Sequence, residues 1–139
     1  MLAIRAKQIF VNLPVQDLKK SVDFFTKVGF EFNADFTDES ATCMIMGDNI
    51  YAMLLVEERF LSFISKKISN AAETTEVIVC LSADTREQVD AIVQAAFDAG
   101  AKPHNEPQDH GFMYGWGFQD LDGHLWEVSY MDMSAFPRE

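Results

Sequence analysis

The chain has 139 residues and a mass of 15.7 kDa, a length at which one domain is the expectation. Hydrophobic residues at 48% and charged residues at 24% exclude a disordered chain. A formal charge of −11, from 22 acidic against 11 basic residues, excludes binding to a phosphate backbone or an anionic membrane surface, since both need clustered Lys and Arg.

Gln8–Leu13 alternates and is bounded by Pro14, which predicts a strand. Asp17 is placed to cap a helix in which Leu18, Val22 and Phe25 recur at helical spacing and Gly29 provides the stop. Phe30–Thr37 reads as a strand, and Ala41–Met46 with Ile50–Glu57 as a hairpin around Gly47, Asp48 and Asn49. The stretch Glu58–Asn70, with Phe60, Leu61, Phe63 and Ile64 beside Lys66 and Lys67, reads as a short amphipathic helix or an interface segment. Thr75–Ser82 is a further strand. Asp84 and Glu87 have the spacing of a capping box ahead of a stripe of Val89, Ile92, Val93 and Ala96, which Gly100 ends. Ala101–Glu106 is a short strand. Met113–Gln119 and His124–Tyr130 flank the turn Asp120–Gly123. The order strand, helix, strand, strand, strand thus occurs twice. Module one spans about 7–57, a connecting segment about 58–74 and module two about 75–132 of a single domain.

The N-terminus lacks an apolar stretch long enough for a signal-peptide core, and the longest apolar run, Ile50–Val56, is far short of a membrane span. Cys43 and Cys80 form no CxxC and read as two buried free thiols in a reducing compartment. A cytoplasmic protein is the expectation.

Alternation divides each strand into two faces. One set of faces, the one holding the inward positions of the resemblance described below, gives a wall of Phe10, Asn12, Ile78 and Cys80 from the first strands of the modules and Thr42, Met44, Tyr51, Met53 and Leu55 from the first hairpin. From the second hairpin it takes Tyr114, Trp116, Phe118, Leu125, Glu127 and Ser129. Such an aromatic and thioether-rich wall with a few polar points suits a small molecule; a core filled by its own side chains is the alternative. Glu127 between Trp126 and Val128 is costly to bury unless paired or protonated. It is either a general base or polar anchor, or a carboxylate satisfied by Asn12, Gln8 or Tyr51. The segment His104–Phe118 holds two of the three histidines with Gly111, Gly115 and Gly117, and in it His110 is a candidate acid/base partner or a loop residue in solvent. Asp120 and Asp122 read as turn formers, His124 as a surface residue and Cys80 as packing.

The stretch LPVQDLKKSVDFFTKVGF (Leu13–Phe30) resembles the opening pattern of the vicinal oxygen chelate superfamily, and FQDLDGHLWEV (Phe118–Val128) is similar to its closing hairpin. That superfamily includes glyoxalase I, bleomycin-resistance proteins and extradiol dioxygenases. The resemblance implies an α+β fold: paired βαβββ modules forming a cupped, mostly antiparallel sheet around a central cavity, in a homodimer. It implies metal-ligand positions at Phe10, Met53, Ile78 and Glu127. Only Glu127 offers an oxygen, so no cofactor is expected and the family's divalent metal is disfavoured. A displaced set of Gln8, Glu76 and Glu127 is the conceivable rescue. Two functions follow. One is a metal-independent binder of a small, partly apolar molecule, using Phe10, Asn12, Met53, Ile78, Tyr114, Trp116 and Ser129 with Glu127 and His110. The other is a glyoxalase-like lyase or isomerase, or a dioxygenase, in which Glu127 transfers a proton or holds the metal. An interaction module built on Phe60–Ile64 is a third.

Overall fold

A computed structural model describes residues 2–137. The chain gathers into two compact units. The first takes the chain up to Thr26 together with Phe30–Ile68; the second takes Lys27–Gly29 together with the chain from Ser69 onward.

In the first unit, β1 (Ile9–Val15) leads into α1 (Leu18–Val28), then β2 (Glu31–Asn33), a 3-10 turn at Ala34–Phe36, β3 (Ala41–Gly47), β4 (Ile50–Val56) and α2 (Glu57–Leu61). The sheet order is β1-β4-β3-β2, with β1 parallel to β4 and the other pairs antiparallel. Asp17 caps α1 as expected, its Oδ1 accepting from the Lys20 amide at 3.0 Å. Gly29 ends it at φ +123°, in the region that favours glycine. α1 buries Ser21, Phe24, Phe25 and Val28. β1 runs through Pro14, which an edge strand tolerates because no ladder partner is needed on its free side. β2 is shorter than expected, because Asn33 turns the chain by accepting from the Asp35 amide at 3.0 Å.

The second unit follows the same order with one further two-residue strand, β7. β5 (Ile78–Ser82) leads into α3 (Arg86–Asp98), followed by β6 (Lys102–Pro103), β7 (Gln108–Asp109), β8 (Met113–Gln119), β9 (Leu125–Met131) and a 3-10 turn at Met133–Ala135. The sheet order is β5-β9-β8-β6, with β7 also on β8 and β5 parallel to β9. The architecture is therefore α+β, with two open mixed sheets, a βαβββ order in the first unit and the same order with β7 inserted in the second. The cap of α3 lies one residue later than expected. Thr85 Oγ1 accepts from the Gln88 amide at 3.0 Å, and Gln88 returns its side-chain oxygen to the Asp84 amide at 2.6 Å. α3 covers one face of its sheet with Val89, Val93 and Ala96 fully buried, and the Phe97 ring meets Trp116 edge to face at 5.5 Å. On that same face Phe118 and Trp126 lie parallel at 6.4 Å.

Both hairpins correct the expected wall. In the first, Gly47 faces Ile50 at the turn, but a bulge between Ile45 and Gly47 shifts the pairing so that Met44 faces Ala52 and Thr42 faces Leu54. A one-residue shift exchanges faces. Thr42 and Met44 therefore share the face of Ala52 and Leu54, while Cys43 joins Met53 and Ile45 joins Tyr51. In the second hairpin the loop is Asp120–His124 and Gln119 faces Leu125, so odd positions meet odd positions. A turn one residue shorter would have set Trp116 against Glu127. Instead Gly117 faces Glu127, and Tyr114, Trp116 and Phe118 lie on the α3 side with Tyr130, Val128 and Trp126. Cys80 is exposed rather than buried; Cys43 is the buried thiol, and burial pushes its pKa up.

Candidate functional site

β9 lies between β5 and β8, and alternation sends Leu125, Glu127 and Ser129 to the face that α3 does not cover. Cys80 stands beside Glu127 on β5, and Gly117 and Gly115 stand opposite Glu127 and Ser129 on β8. Ile78 is on this face and exposed. The Cys80 Sγ lies 3.5 Å from the Ser129 Oγ.

Gly117 is what lets Glu127 lie where it does. A Cβ there would collide with the Trp126 carbonyl oxygen, come within 2.9 Å of the Glu127 Cγ and within 3.1 Å of the His104 Cδ2. The half-buried carboxylate thus crosses a glycine, with the loop between β6 and β7 bordering it. From that loop Asn105 donates its Nδ2 to the Glu127 Oε1 at 3.4 Å. The Asn105 backbone carbonyl accepts from the Trp116 Nε1 at 3.1 Å, and Gln119 Nε2 donates to the Pro103 carbonyl at 3.1 Å. The Asn105 Oδ1 is buried without a hydrogen-bond partner among the described residues.

The residues singled out from sequence separate accordingly. Glu127, Ile78 and Ser129 share one face. Tyr114 faces α3 and donates to the Asp90 Oδ1 at 2.5 Å, a bond that pushes its pKa up to about 12. Trp116 reaches the loop only through its indole nitrogen. His110 is exposed in the turn between β7 and β8, its amide donating to the Met113 carbonyl at 2.8 Å. That end of β8 is about 13 Å of strand from Gly117, so the histidine at Glu127 is His104. In the first unit Phe10, Asn12 and Met53 share a face, where Phe10 stacks on Tyr51 at 4.9 Å with 17° between the rings. Asn12 donates to the Phe10 carbonyl and Gln8 to the Asn49 side chain. His104 and Asn105 lie in the stretch His104–Phe118 that the sequence singles out, but nothing in the sequence assigns either to Glu127, because their approach depends on the path of a loop without regular structure.

The donor set does not fit the metal that the resemblance implies. Phe10 and Ile78 have no lone pair, and among the described residues no group of three or more His, Cys, Asp or Glu is gathered as ligands. A cleft of about 230 Å³ lined by Thr85, Arg86, Glu87, Gly111, Tyr130 and Asp132 lies at the start of α3 and includes none of the Glu127 face. There Arg86 forms a bidentate pair with Asp109, at 2.6 and 3.1 Å, and donates to the Gly111 carbonyl at 3.0 Å.

Comparison with known proteins adds three findings. A family model described as the Glyoxalase/Bleomycin resistance protein/Dioxygenase superfamily matches residues 7–128. No curated protein matches the sequence. Among solved structures, a hypothetical protein from S. aureus is similar at 28% identity and a TM-score of 0.77, covering 91% of this chain and 94% of its own. A glyoxalase/bleomycin resistance protein/dioxygenase family enzyme from Burkholderia phytofirmans is similar at 19% identity and a TM-score of 0.73, covering 88% and 96%. TnmS3, an antibiotic binding protein from Streptomyces, is similar at 20% identity and a TM-score of 0.66, covering 94% and 99%.

Proposed function

The chain belongs to the glyoxalase/bleomycin resistance protein/dioxygenase superfamily, and we propose that within it the chain binds a small, partly apolar molecule at the Glu127 face, without the family's metal. One observation carries this reading: a half-buried carboxylate crosses Gly117 and accepts from Asn105, on a face that also bears the apolar Ile78, Leu125 and Met131 beside Cys80 and Ser129. Pockets for small ligands combine apolar walls with a few fixed polar groups. The antibiotic-binding relative supports the same class of function. Residence in the cytoplasm and assembly as a homodimer belong to this reading.

A thermal-shift panel of small, partly apolar compounds tests it, because a ligand that binds only the folded state raises the melting temperature. Glu127→Gln is expected to weaken a compound that hydrogen-bonds the carboxylate by about tenfold or more, the value of a charge-assisted bond. A stoichiometric divalent ion in purified protein, with no compound raising the melting temperature, would overturn it.

A second reading has one observation of its own. His104 and Glu127 border the same glycine, so proton transfer by a lyase or isomerase has an acid/base pair at hand. The metal that would stabilise an enolate finds no cluster of three or more His, Cys, Asp or Glu among the described residues, which places this reading second.

A further inference from the structure

Resting on the binding reading above, we propose that Asn105 and Glu127 act together as a two-point acceptor for a ligand ammonium group, so that this face selects an amine over an alcohol or carboxylate of the same shape. The amide orientation is dictated by charge: Nδ2 faces the carboxylate, because the opposite flip would set two oxygens against each other. Oδ1 is therefore the atom turned away, buried and without a partner among the described residues. A buried acceptor left unmade is costly, and a donor that reaches it recovers that cost. An ammonium has three N–H groups to divide between this oxygen and the carboxylate.

Two features set the sign of the ligand. Among the described residues, Lys102, on the edge strand β6 opposite Gln119, is the one lysine or arginine that strand pairing places on this face. Cys80, His104 and Glu106 are the other titratable neighbours on the face or its loop, and none supplies a permanent positive charge. The chain as a whole carries −11, a field that concentrates cations and repels anions. Access of a donor to Oδ1 requires the loop between β6 and β7 to shift; that loop has no regular structure, and Glu106 and Pro107 in it are exposed.

Isothermal titration of the full chain with naphthylmethylamine, naphthylmethanol and naphthoate tests the inference on one shared ring system. The amine is expected to bind about tenfold tighter than the alcohol, and naphthoate more weakly than both. Asn105→Leu and Glu127→Gln should each remove most of the amine's advantage over the alcohol, with circular dichroism confirming the fold. If Asn105→Leu does not fold, Asn105→Ala reads the same loss. Equal affinity for amine and alcohol would overturn this inference and leave the binding reading standing, as would an amine advantage that survives loss of the Asn105 amide. Failure of all three probes to bind would overturn this inference, whereas the binding reading falls only with the thermal-shift panel and the metal analysis.

Discussion

Gly117 and Glu127 constrain each other. The glycine lacks the atom that would strike the Trp126 carbonyl, and the carboxylate side chain occupies the space so released. Gly117→Ala is expected to lower unfolding free energy by about 1–3 kcal/mol, the range for overpacking a filled position. The same substitution should displace Glu127 and weaken ligand binding, read by urea unfolding and titration of the same variant. Asp109 offers a second residue-scale expectation. Its hydrogen bonds from Arg86, with the Gly111 amide adding to them, hold its pKa at about 2, below the ordinary value of 3.8. The contribution to stability is thus fully present above the ordinary value and lost as pH falls through about 2. An NMR titration should place the Asp109 carboxyl near the lower value and return it toward the ordinary one in Arg86→Ala. Asp120 behaves oppositely: burial pushes its pKa up although the Trp126 indole and the Asp122 and His124 amides donate to it.

Among the elements, α3 shows most clearly what local sequence specifies. The stripe Val89, Val93 and Ala96 is buried as its spacing requires, with Ile92 at the margin. Thr85→Ala removes the side-chain acceptor for the Gln88 amide and should cost about 1 kcal/mol, visible as a lower urea midpoint with unchanged slope. The hairpins show where local sequence stops. Strand identity was legible in both, but the face of each residue depends on the parity of the turn. A bulge near Ile45 and one extra loop residue at His124 reversed that parity. Periodicity reports that alternate residues point apart; it does not say which set points toward the ligand. That is why Tyr114 and Trp116 were expected beside Glu127 and instead face α3. The chemistry missed most completely, Asn105 at Glu127, rests on a contact between residues 22 apart in the chain that no periodicity encodes.

For the whole molecule, the doubled order of elements was readable because each module repeats the same succession of strand, helix cap, stop and hairpin. The pairing supports the equivalence of modules in detail: Phe10 faces Tyr51 in the first, and Ile78 faces Leu125 in the second. Each sheet leaves its first strand at an edge with apolar residues uncovered, Ile9 at 55% and Phe10 at 48% exposed in one and Ile78 at 47% in the other. Uncovered apolar edges invite pairing with another chain, and under the proposed homodimer they are its contact surface. Sedimentation should then give about twice the monomer mass, and Phe10→Glu should shift the equilibrium toward monomer. A monomer at every concentration would end that proposal.

The parallel pairing of the first strand with the last in each unit also bears on how the chain acquires its structure. β1 has no partner until β4 has emerged, and β5 none until β9 has, because the helix and two or more strands lie between them. Closing so long a segment costs entropy before the ladder returns any, which places the molecule among slow, topology-limited folders. During synthesis, each opening strand with its row of unpaired amides must wait for the end of its own module, and that interval is when it is most exposed to aggregation.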